Sequence, residues 1–165
     1  MDKSELVKIK TEYYSDVLEE RTIETLWAKI HDLRKGLYQI DNIPFYGAPF
    51  ACKDIIHAIV DEDGVLCFQK VIRASNHSIL QIFVHQKNTL NSEIRDWFKD
   101  VNCSTEGVSE NYFVVDVPMK IDYKKLQDSL KRKETEGIVE FAEALLSKKH
   151  KKDLKTSIFR KFLKS

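Results

Sequence analysis

Between Gly36 and Arg73 the chain is punctuated by Gly36, Pro44, Gly47, Pro49 and Gly64, with short apolar runs packed between them. A proline inside a helix removes a backbone hydrogen bond and clashes with the preceding turn, and glycine is costly in a helix interior. This stretch is therefore restricted to short strands and ordered turns. Asp54 to Val60 and Val65 to Arg73 read as a hairpin through Asp61-Glu-Asp-Gly64, a turn signal because glycine tolerates positive φ. Pro44 holds Ile43 out of the helical region, so Asp41-Asn-Ile-Pro-Phe45 leaves the sheet or runs along its edge.

The flanks carry the same period. Val7 and Ile9 alternate with lysines, and Thr22 to His31 alternates in the same way, so both read as half-buried strands. Ser15 to Arg21 between them is polar and acidic enough for a short helical turn. Leu37 to Ile40 returns from the Asp32–Gly36 turn as a hairpin partner, and Ile79 to His85 is the strongest strand signal in the chain. The period then changes from 2 to 3.6. Leu90, Ile94, Trp97, Phe98 and Val101 predict an amphipathic helix over 91–101, with Asn91 and Ser92 as capping candidates. Asn111 to Val117 reads as a strand ended by Pro118, and Asp122 can cap a helix running through Glu134. Beyond Gly137, the apolar residues of Ile138 to Ser147 predict a further helix. Leu154, Ile158, Phe159, Phe162 and Leu163 give the last segment a helical apolar stripe backed by lysines.

The expected fold is α+β: a curled antiparallel N-terminal sheet or small barrel of five or six strands, followed by a β-α-β-α layer and C-terminal helices. The expected organisation is one domain over 1–147, β-rich over 1–87 and α/β over 88–147, with a basic amphipathic helix over 148–165. At 165 residues the chain needs no staple, and Cys52, Cys67 and Cys103 are odd in number and widely spaced, which argues against a disulfide framework. No apolar run approaches the roughly 20 residues that span a bilayer, and no signal-peptide core is evident, so a cytoplasmic protein is expected.

Charge is divided along the chain. Residues 1–120 carry 14 Lys/Arg against 19 Asp/Glu, whereas residues 121–165 carry 13 against 7. Lys148, Lys149, Lys151 and Lys152 form the densest basic patch. Such a patch could meet phosphates, but lysines on an amphipathic helix are usually its solvent face, and the body is acidic. Nucleic acid and membrane are therefore not the expected partners.

Leu26-Trp-Ala28, Gly36 to Phe45 with its Asp-Asn-Ile-Pro-Phe element, Asp54-Ile-Ile-His-Ala58, and Val71 to Ser78 with its Ser-Asn-His-Ser turn together resemble an uncharacterised bacterial family, domain of unknown function 4265. The resemblance covers about residues 22–117. The chain carries Asn76 where the family has glycine. The resemblance implies a fold and a bacterial cytosol, and it supplies no mechanism.

Candidate chemistry is sparse. Asp41 and Asn42 are short polar residues at a turn, suited to bonding nearby backbone amides. For an enzyme, Asp54 and His77 would be the acid-base pair, with Arg73 holding an anionic substrate and Asp41 at the rim. His77 and Ser78 are adjacent and point to opposite faces of an extended segment, so they do not pair with each other. Cys52-x-Asp-x-x-His57 lacks a second short ligand pair, and no metal or other cofactor is expected. Phosphate-loop, dinucleotide and serine-hydrolase signatures are missing. The expectation is a non-catalytic protein-binding module, concretely an immunity protein that neutralises a basic toxin domain. Asp61, Glu62, Asp63, Glu106 and Glu110 are its candidate contacts.

Overall fold

The computed structural model describes residues 5–16, 18–85, 90–107 and 109–162, the last six of these by backbone alone. The chain divides into two compact units, residues 1–75 and 76–165.

The first unit is a closed five-stranded barrel: β1 (Leu6–Ser15), β2 (Glu20–Asp32), β3 (Leu37–Ile40), β4 (Ile55–Val60) and β5 (Leu66–Arg73). Neighbours pair antiparallel, and a parallel contact at Lys10 and Cys67 joins β1 to β5. Closure brings the first and last strands together. Alternation follows the pleat: Ile9, Leu26, Ala28, Tyr38, Ile40, Ile56 and Ala58 turn inward, and Phe50 of the long β3–β4 loop fills the barrel with them. Ile23 and Trp27 turn outward. Ser15 to Arg21 holds no helix among its described residues: β1 continues to Ser15, which pairs with Glu20, and only a tight turn remains.

The second unit runs β6 (Ser78–Val84), α1 (Asn91–Asp100), β7 (Ser104–Gly107), β8 (Tyr112–Val117), α2 (Tyr123–Thr135), β9 (Val139–Leu145) and α3 (Lys148–Phe162). Its antiparallel sheet has the order β7-β8-β6-β9. A β-α-β-β-α-β order on such a sheet is the split βαβ, ferredoxin-like arrangement. Leu80, Ile82 and Val84 of β6 and Phe113, Val115 and Val117 of β8 face Ile94 and Phe98 of α1 and Tyr123, Leu126 and Leu130 of α2, forming the second core. The expected helix over 138–147 is a strand. Gly137, at φ 70°, ends the preceding helix, and Val139 to Leu145 then pairs along β6. The capping expectation for α1 also fails, since Leu90 occupies the cap position and bonds no amide through its side chain. Asp122 does cap α2, accepting the Lys125 amide. Of the expected C-terminal stripe, Leu154 packs on the second core, while Ile158, Phe159, Phe162 and Leu163 lie outside the described side chains. No helix among the described residues is long and apolar enough to cross a membrane.

Candidate functional site

In the barrel unit the polar residues of the central stretch bond to their own scaffold. Asn42 Oδ1 accepts the Trp27 amide at 2.8 Å, and Asp41 forms ion pairs with Lys53 at 2.7 Å and Lys29 at 3.1 Å. Partial burial pushes the Asp41 carboxyl up, but the two ammonium groups more than offset this, and its pKa lies below the ordinary value. Asp54 is buried. Its Oδ2 accepts the Ala51 amide at 3.0 Å and its Oδ1 the Ser75 amide at 2.7 Å. The Ser75 hydroxyl donates to the Cys52 carbonyl, so the β3–β4 loop and the end of β5 are tied together.

In the second unit His77 Nδ1 lies 2.9 Å from both carboxylate oxygens of Asp116 on β8, and Asp116 is nearly buried. The carboxylate that His77 meets is therefore Asp116, while Asp54 is spent on two amides of its own unit. No local signal in the sequence joins His77 to Asp116, which lies 39 positions away. Sequence reasoning also passed over His150. Its Nδ1 is 2.6 Å from Ser78 Oγ, and that oxygen accepts the Ser147 amide at 2.9 Å. A buried Ser-His contact suggests a nucleophile, but Ser78 and His150 are both inaccessible, and the Tyr123 ring stacks on the imidazole. Ser147 Oγ accepts the His150 amide as well, so the contact anchors the start of α3 to β6.

Arg73 is exposed at the end of β5. At the β4–β5 tip Asp61 Oδ1 accepts the amides of Asp63 and Val65, while Glu62 and Asp63 are exposed. These amide bonds, the Val65 one foremost, hold the Asp61 carboxyl below its ordinary pKa. Glu106 is half-buried on β7, and Glu110 is exposed before β8. Of the basic patch, Lys149 pairs with Asp153 at 2.7 Å, and Lys148, Lys151 and Lys152 are exposed. The Cys103 thiol is pushed up to about 12 by burial and by Asp116, which makes it a poor nucleophile. Among the described residues no three His, Cys, Asp or Glu side chains gather as a metal site.

The family described as Domain of unknown function (DUF4265) matches residues 24–141. The chain belongs to this family. The match takes in the Asp-Asn-Ile-Pro-Phe element and reaches from β2 into β9. Among solved structures, the chain is similar to a hypothetical protein from Neisseria gonorrhoeae, at 26% identity and a TM-score of 0.72, covering 85% of this chain and 94% of that one. No curated protein matches the chain.

Proposed function

We propose that this DUF4265 protein is a non-catalytic protein-binding module, and that an immunity protein neutralising a basic toxin domain is its most concrete form. The observation that carries this reading is the occupation of the family element's polar side chains. Asp41, Asn42 and Asp54 are spent on lysines and backbone amides, which leaves a rigid scaffold with exposed acids at its turns. Glu62 and Asp63 at the hairpin tip and Glu110 before β8 are the contacts offered to a basic partner, since complementary charge speeds encounter.

Co-expression with the product of the adjacent reading frame tests the proposal. A stoichiometric complex whose association slows on Glu62→Lys or Asp63→Lys, and slows further in salt, supports it. Absence of any copurifying partner counts against it. The contact between His77 and Asp116 favours a second reading, an enzyme in which the carboxylate orients the imidazole as a base. A turnover lost in His77→Gln without loss of folding would establish that reading instead.

A further inference from the structure

A cavity of about 420 Å³ lies between α1 and β7. Ser92, Arg95, Asp96 and Lys99 recur at helical spacing on one face of α1, and Ser104 and Thr105 of β7 form the opposite wall. This volume falls within the range of small-molecule sites, but the lining is polar where such sites are mostly apolar. A charged ligand suits it better than an apolar one.

Three observations define the charge. First, Arg95 is fixed: its Nε donates to Thr105 Oγ1 at 2.9 Å and Nη2 to the Thr105 carbonyl at 3.4 Å. Second, Gly107 supplies room rather than an unusual turn. A Cβ there would stand 3.2 Å from Arg95 Nη1, so the guanidinium would have to give by a few tenths of an ångström to admit one. Third, Asp96 is the only carboxylate among the described residues of the walls, yet neither Arg95 nor Lys99 forms an ion pair with it or with any other described acid. Two cations and one carboxylate thus face the groove, and its lining is net positive. The first turn of α1, which carries Ser92, has no side-chain cap and adds the positive end of the helix dipole. Cys103 in the wall is no nucleophile, because burial keeps it protonated.

We propose that this groove binds the phosphate group of a small molecule. A planar guanidinium held at the wall, a lysine one helical turn away and the Ser92 and Ser104 hydroxyls supply donors from several directions, as a tetrahedral dianion requires.

Titration calorimetry of the full chain with inorganic pyrophosphate tests the proposal, with malonate as the carboxylate control. Saturable pyrophosphate binding is expected, with malonate at least ~10-fold weaker. Lys99→Ala, at an exposed position, should weaken pyrophosphate binding ~10-fold, and Gly107→Ala should weaken it less, by shifting the guanidinium slightly. Thermal melting checks that each variant folds, and Lys99→Ala keeps the test open if Gly107→Ala does not. Absence of saturable binding, or binding unchanged in Lys99→Ala, overturns the site. Loss of binding in Lys151→Ala/Lys152→Ala assigns the anion to α3 and overturns it too. Equal affinity for malonate overturns the phosphate assignment.

Discussion

Glu24 and Phe45 meet across the barrel wall: Glu24 Oε1 accepts the Phe45 amide at 2.6 Å, while its Oε2 accepts the Tyr13 hydroxyl at 2.6 Å. A carboxylate on the inward face of β2 is costly to bury, and the two donors offset that cost. They also fix where the chain turns after Pro44. Glu24→Ala removes both bonds to the buried carboxylate and should cost roughly 2 kcal/mol. Glu24→Gln keeps the shape and one acceptor, and should cost about half as much. Urea denaturation of the two variants checks both the loss and its order.

Gly36 makes a sharper demand than the other turn glycines. It sits at φ 64°, and a Cβ there would stand 2.9 Å from the Ala58 carbonyl. Gly64 has φ 79° with open space around it. Gly36→Ala should therefore lose both the left-handed preference and the close approach of β3 to β4, about 3 kcal/mol in all, against about 1 kcal/mol for Gly64→Ala. Melting temperatures of the two variants provide the comparison, and equal losses would refute the steric account.

Local rules made the barrel legible. Val7 and Ile9, the Asp61–Gly64 turn and the alternation of β2 each set a strand face within a few residues. The chain from Ile138 to Ser147 was not legible in this way. Its apolar residues fit a helical stripe, and only the edge of β6, more than fifty positions earlier, makes it a strand. β7 carries almost no apolar residue, so Ser104 to Gly107 shows no period to read. Asn76 has a φ of 62°, in the left-handed region that asparagine tolerates better than most residues. The site residues failed for want of distance information. The sequence analysis pairs His77 with Asp54, and the carboxylate that folding brings to it is Asp116.

His150 makes stability depend on pH. Burial, with Lys149 and His77 assisting, pushes its pKa below the ordinary imidazole value, while Asp153 and the Pro118 carbonyl oppose the shift. A lowered pKa means that the unfolded chain binds the proton more readily than the fold does. The His150 contribution is therefore complete above about pH 6.5 and is lost as pH falls below it, until the folded-state pKa is reached. Melting curves between pH 7.5 and 5 should show the wild type losing more than His150→Gln over that window. Parallel losses would refute the assignment.

Asp54 separates the two functional readings with one residue. Because its two oxygens hold the Ala51 and Ser75 amides, Asp54→Ala removes the acceptor of one buried and one part-buried bond and should destabilise the chain by roughly 2 to 3 kcal/mol. Asp54→Asn retains one acceptor and turns an amide donor toward the other N–H, so it recovers only part of that loss. If the residue serves the backbone alone, partner association measured well below the variant's melting temperature should be unchanged in Asp54→Asn. An Asp54→Asn protein of wild-type stability that loses function would instead place the carboxylate in direct contact with a ligand.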